Sequence, residues 1–242
     1  MESKPEQIKI DKELVINILQ KCEDIFSSSE ANLVSVEQIK SKLDDKEKEF
    51  IDYLLALTPK DLGVDLKHWG GRDAKAEDFV RISGQQFTNS KMTVGENGEE
   101  IPDVENSEDK TIRDQFLPEI VYSNFTKLKE AMERELGKTV LVQSGFRSYG
   151  YQLLVFLNYL KSKNFDIYKT AKLVAIPGYS EHEDKDYPAI DFLDPQNRKF
   201  KDTEQFEWMS KNAETFGFKL SFPEGNKNGI QFEPWHWKYS LW

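Results

Sequence analysis

Residues 189–193 read Ala-Ile-Asp-Phe-Leu, an acid inside an otherwise apolar run. The run suits one β-strand, and its chemistry restricts what can surround it. Side chains alternate between the two faces of a strand, so Asp191 points away from Ile190 and Phe192. If the Asp191 face is buried, the carboxylate must be paired or bound to a cation, because an isolated buried charge is costly. Taken alone, Asp191 also fits a solvent-facing acid on an edge strand.

The histidines narrow these alternatives. The chain has three, His68, His182 and His236. His182 closes the run Pro177-Gly178-Tyr179-Ser180-Glu181-His182, and His236 sits in Glu233-Pro234-Trp235-His236-Trp237. Singly, His236 between two tryptophans fits a packed core residue, and His182 fits a surface loop. With Asp191 they make a set of two imidazoles and a carboxylate. Such a set binds catalytic zinc and leaves the fourth position for water.

Glu233 stands three residues before His236. On a regular strand the two side chains would face opposite sides. Pro234 cannot donate to a ladder, so a break is expected there, and it would turn both toward one site. A carboxylate beside a metal-activated water can take its proton and pass it to a leaving amine. The alternative is a surface acid before a turn. Arg147 follows Ser144-Gly145-Phe146 at an expected strand-to-helix junction. A guanidinium there suits a substrate carboxylate or a developing oxyanion, or else a local salt bridge. His68 has no partner in the sequence and is assigned a structural or surface role.

Composition limits the partners. The net charge of −10 disfavours non-specific contact with nucleic acid or anionic lipid. Hydrophobic residues at 38% are enough for a real core. No run approaches the ~20 apolar residues of a membrane span. Met1 to Pro5 lack the basic start and apolar stretch of a signal peptide. The single cysteine, Cys22, lies on an apolar helical stripe and reads as a buried packing residue.

Helical periodicity covers 12–27, with Asp11 as N-cap, then a short helix from Ser35 to about Leu43, where Ser35 and Gln38 have capping-box spacing. Further helices are expected over 45–56, 118–136, 148–162 and 203–216. Short strands are expected at 139–143, 189–193, 218–222 and 235–239. The acidic stretch 93–110, with its Gly, Pro and Asn, reads as an exposed loop or a partly mobile segment. This mixture points to an α+β fold, a small antiparallel sheet flanked by helices, with a helical extension over 1–57.

Four motifs stand in a recognisable order: Ser144-Gly145-Phe146-Arg147-Ser148 with Gln152, Pro177 to His182, Ala189-Ile190-Asp191, and Glu233-Pro234-Trp235-His236. The series resembles D-alanyl-D-alanine carboxypeptidases of the VanY type, within the wider group of zinc peptidases that includes lysostaphin-like enzymes. The resemblance places a motif-bearing core at 118–242 within a peptidase domain at 58–242. It implies zinc (Zn2+) on His182, Asp191 and His236, with Glu233 as general base. It implies that Arg147 contacts the substrate carbonyl or carboxylate, and that Gln152, Ser180 and Trp235 are substrate-binding positions. The implied reaction is hydrolysis of terminal D-alanine from peptidoglycan stem peptides, a substrate class that favours the cell envelope. The alternatives are an endopeptidase with the same zinc chemistry and a non-catalytic cell-wall-binding module. One departure bears on them. Nine positions separate His182 from Asp191, whereas the family pattern has a shorter interval with a glycine inside it. The extra residues either bulge at the mouth of the site or disturb the ligand geometry. Their acids, Glu183, Asp184 and Asp186, read as a solvated loop or as an attraction for a basic substrate group.

Overall fold

The structure is a computed structural model that describes residues 8–70, 74–83, 91–94, 100–103, 114–196 and 199–241. It is α+β. Helices α1 (Lys12–Lys21), α2 (Glu23–Phe26), α3 (Val36–Lys40) and α4 (Asp45–Leu55) open the chain. Asp11 caps α1 by accepting the amides of Glu13 and Leu14, and the Ser35–Gln38 capping box opens α3. The expected single helix over 12–27 is two helices with a break at Cys22, and α3 ends before Leu43.

Two strand pairs follow. β1 (Val80–Ile82) pairs antiparallel with β4 (Gln115–Leu117), and β2 (Lys91–Val94) pairs with β3 (Glu100–Asp103). Part of the stretch 93–110 is therefore strand rather than the expected loop. Residues 95–99 and 104–110 lie outside the described residues.

The remaining elements carry the site. They are α5 (Glu119–Leu136), β5 (Leu141–Ser144), α6 (Tyr149–Ser162), α7 (Ile167–Ala171), β6 (Ala189–Leu193), α8 (Glu204–Asn212), β7 (Phe218–Leu220) and β8 (His236–Tyr239). Sequence periodicity missed α7, which is too short to show a stripe. The strands form one antiparallel sheet in the order β5-β6-β8-β7. Its register sorts the side chains. Val142 pairs with Phe192 and Ile190 with Trp237, and all four are buried with the α5 stripe Val121, Phe125, Leu128 and Met132. The alternate positions place Ser144 opposite Asp191 and Asp191 opposite His236. Cross-strand partners share a face, so these three form one polar row across the sheet.

A second core joins the first helices to α6 and α7. Val15, Ile18, Ile39, Ile51 and Leu54 pack in one cluster with Leu153, Leu157, Leu160 and Ile167. Cys22 is buried in this cluster, and burial pushes its thiol up to about 11, as suits a packing residue. Among the described residues no helix is long and apolar enough to cross a membrane.

Candidate active site

The site is built on the polar row. Asp191 lies at the centre of β6, where every residue is buried, so the edge-strand alternative does not hold. Its Oδ1 is 2.9 Å from His236 Nδ1, and its Oδ2 is 3.2 Å from His182 Nε2 and 2.9 Å from Arg147 Nη2. Burial alone would raise this carboxyl, but its pairing with His236 outweighs burial and holds it well below the usual carboxylate range.

Each histidine has its outer nitrogen fixed. His182 Nδ1 is 2.8 Å from the Gly145 carbonyl oxygen, which can only accept, so the proton sits on Nδ1. Burial, with Arg147 nearby, lowers His182 to about 4, which leaves the ring neutral. Its Nε2 is then a lone pair that faces a carboxylate oxygen. Among buried polar side-chain atoms it has no hydrogen-bond partner. His236 Nε2 donates to Glu181 Oε2 at 3.0 Å, and Glu181 also accepts from the Ser221 hydroxyl. Burial opposes charge on His236, but the hydrogen bonds to Asp191 and Glu181 carry it up to about 10.

This donor set fits a zinc ion. One ligand atom each from His182, Asp191 and His236 lies within 4.8 Å of the others, and all three residues are buried. Outer acceptors on both rings are the usual accompaniment of metal-binding histidine, because they fix the tautomer and aim the inner nitrogen. His182 Nε2 and Asp191 Oδ2 stand 3.2 Å apart, close enough to share one cation, a proton or a metal ion.

The longer His182–Asp191 interval folds away from the ligands. Residues 181–183 form a short 3-10 turn. Asp184 Oδ1 accepts the amides of Asp186 and Tyr187, and its Oδ2 pairs with Lys238 Nζ at 2.7 Å on β8. Lys238 also donates to the Tyr187 carbonyl, and Lys185 pairs with Asp78 at 2.8 Å. Of the expected solvated acids, Glu183 is instead buried. Its carboxylate accepts the amides of Gly178 and Ser180, and burial pushes it up to about 8 against those donors. Gly178 has φ +89°, which L side chains rarely adopt, and a Cβ there would sit 3.3 Å from His68 Nε2. His68 meets Tyr179 edge-on at 5.0 Å and so packs against this loop.

Glu233 reaches the site through the expected break. The His236 amide donates to the Glu233 carbonyl at 3.1 Å, closing a turn over Pro234 and Trp235. The Glu233 carboxylate then lies 3.8 Å from His236 Nδ1. Burial raises it to about 7, against the pull of His236, which is the range a neutral-pH proton shuttle needs.

Arg147 is more committed than its sequence setting suggested. Its Nε donates to Ser144 Oγ at 2.8 Å, Nη1 to Gln152 Oε1 at 3.3 Å, and Nη2 to Asp191. Two guanidinium N–H groups stay outside these bonds. Gln152 is fully buried and donates to the Ala175 carbonyl at 2.7 Å. Arg147, Gln152, Ser180 and Trp235 all line the cleft of about 120 Å3 over the ligand cluster, with Trp235 39% exposed at its mouth.

Two contributors were not legible in the sequence. Glu181 adjoins His182, but only the fold shows that its carboxylate serves His236. Leu66 lines the same cleft from a segment far outside the motifs.

Comparison with known proteins gives the family and the fold. The family profile described as D-alanyl-D-alanine carboxypeptidase (VanY) matches residues 114–241. The protein YodJ of Bacillus subtilis (strain 168), named as a carboxypeptidase, is 31% identical over 147 residues, which are 57% of this chain and 52% of that protein. The chain thus spans about half the length of that relative. The solved LdcB LD-carboxypeptidase superposes with a TM-score of 0.51 at 22% identity, over 75% of this chain and 77% of that one, a likeness of fold. The matched span is more than half of the chain and includes Ser144, Arg147, His182, Asp191, Glu233 and His236, and on the strength of that match this chain belongs to the D-alanyl-D-alanine carboxypeptidase (VanY) family.

Proposed function

We propose that this chain is a zinc-dependent D,D-carboxypeptidase that hydrolyses terminal D-alanine from peptidoglycan stem peptides at the cell envelope. The observation that carries the reading is the convergence of His182, Asp191 and His236 within 4.8 Å, with the Glu233 carboxylate 3.8 Å from His236 Nδ1.

His182, Asp191 and His236 would hold the zinc ion, which would supply a Lewis acid for the scissile carbonyl and make an attacking water more acidic. Glu233 takes the proton of that water and delivers it to the leaving amine. Burial raises its pKa before any metal is bound, which favours uptake of that proton. Arg147 holds Asp191 in place through Nη2 and turns its two remaining N–H groups toward the substrate carbonyl or carboxylate. Gln152 fixes Arg147 from behind. Ser180 and Trp235 bound the peptide.

The test uses zinc-loaded protein and a synthetic stem pentapeptide ending in D-Ala-D-Ala, with products read by mass spectrometry. Loss of one alanine is expected, together with a fall of roughly 10²–10⁴ in kcat for Glu233→Gln at unchanged zinc content. Loss of alanine from a tetrapeptide alone would overturn the D,D assignment in favour of L,D cleavage, and larger fragments would overturn it in favour of an endopeptidase. Stoichiometric zinc without turnover of any stem peptide would overturn the enzyme.

A further inference from the structure

The family match begins at residue 114, yet one wall of the cleft comes from residue 66. Residues 63–69 run as a strap between two loops that carry the site. At one end the Asp65 amide donates to the Asn228 carbonyl at 2.9 Å, and Asn228 Nδ2 returns a bond to the Asp65 carbonyl at 3.0 Å. Loop 226–230 leads into Glu233. At the other end the Trp69 amide donates to the Gly178 carbonyl at 2.8 Å, on the loop that leads into His182. Between these anchors the Leu66 side chain, half-buried, faces the cleft.

The cleft has two kinds of wall. Its floor is the polar cluster already described. Its upper wall is aliphatic: Leu66 from the strap, Val155 from α6, Leu173 and Val174 beyond α7, and Ile230. On α6, Gln152, Val155 and Tyr159 are spaced for one helix face, so that face runs from the polar floor to the exposed Tyr159. An aliphatic wall beside a polar reaction centre binds an aliphatic side chain next to the reacting bond and limits its size.

We propose that Leu66 is a specificity-determining residue of this enzyme: held by the strap, it restricts the residues flanking the scissile bond to small aliphatic side chains such as alanine. This rests on the peptidase reading of the cleft. Removing three carbons at position 66 opens the wall while leaving the strap's backbone anchors intact. A step of one methylene in such a pocket is worth roughly 10- to 200-fold in selectivity.

The experiment measures Kd by calorimetry in the slowed Glu233→Gln background, zinc-loaded, with intact peptide confirmed by mass spectrometry after each titration. The probes are N-acyl-D-Ala-D-Ala, N-acyl-D-Ala-D-Leu and N-acyl-D-Leu-D-Ala. With Leu66 intact, the D-Ala-D-Ala peptide binds best. Leu66→Ala is expected to shift the ratio toward one of the leucine peptides by about tenfold. Leu66→Met conserves volume and is expected to keep the ratio within about twofold, which separates wall shape from folding. Binding of all three peptides with an unchanged ratio in Leu66→Ala would overturn the role of Leu66 and leave the peptidase reading standing. Binding of none of them with Leu66 intact would overturn the peptidase reading and the assigned occupant with it.

Discussion

Gly150→Ala sets two physical effects against each other, and the structure says which wins. Gly150 lies in the first turn of α6, three residues after Arg147. In an isolated helix, Gly to Ala stabilises by about 1 kcal/mol. Here a Cβ at 150 would sit 2.4 Å from the Val34 carbonyl oxygen, 2.6 Å from the Ser35 carbonyl carbon and 2.8 Å from its oxygen. All three are backbone atoms, so no side-chain rotation relieves the contact. Overpacking of this kind costs roughly 1–3 kcal/mol. If α6 backs away, it stretches two bonds at its start, Ser148 N to the Asn32 carbonyl at 2.7 Å and Ser148 Oγ to the Val34 carbonyl at 2.6 Å. Each is worth about 1 kcal/mol. The net expectation is a loss of about 2–4 kcal/mol despite the better helix former, a sizeable part of the 5–15 kcal/mol that holds a typical domain. The assay is urea denaturation, with the midpoint falling at constant m-value. A midpoint equal to or above that of the parent protein would refute the reasoning and mean that the first helices do not press on α6 as described.

Three further outcomes follow from the site. Zinc added to the metal-free protein at pH 7 should release at least one proton, because His236 stands at about 10 and a metal ligand must be neutral; a pH indicator that records none would contradict the assignment. Glu181→Ala should lower the His236 pKa in metal-free protein, since its hydrogen bond is one of those that raise it; an NMR titration unmoved by the substitution would remove Glu181 as the orienting group. Glu183 is raised from 4.5 to about 8, so the unfolded chain loses this proton first and the contribution to stability falls as pH climbs through that window. Glu183→Gln should flatten that decline, and thermal midpoints at pH 5 and pH 8 that change equally in both proteins would show that Glu183 is ionised throughout.

Much of the site was readable because its residues are chemically improbable where they stand. An acid within Ala189–Leu193 and a histidine between two tryptophans are hard to place in a core without partners. Pro234 forecast the turn that brings Glu233 beside His236. Helix ends were readable where caps are local, as at Asp11 and Ser35, since those bonds depend only on neighbouring residues. Local chemistry did not foretell the break at Cys22, the strands within 93–110 or α7.

The sequence by itself determined the identity of the polar cluster, the alternation that puts Asp191 opposite its apolar neighbours, and the α+β class. Only the tertiary structure decided the rest. Cross-strand register set Asp191 beside His236 and Ser144. Long-range contact gave Glu181 to His236, most of the Arg147 guanidinium to Asp191, Ser144 and Gln152, and Leu66 to the cleft wall. The physical reason is separation along the chain. Periodicity and capping act over a few residues, whereas the bond from residue 181 to 236 and the wall at residue 66 exist only after distant segments pack, and no local pattern encodes which of them will meet.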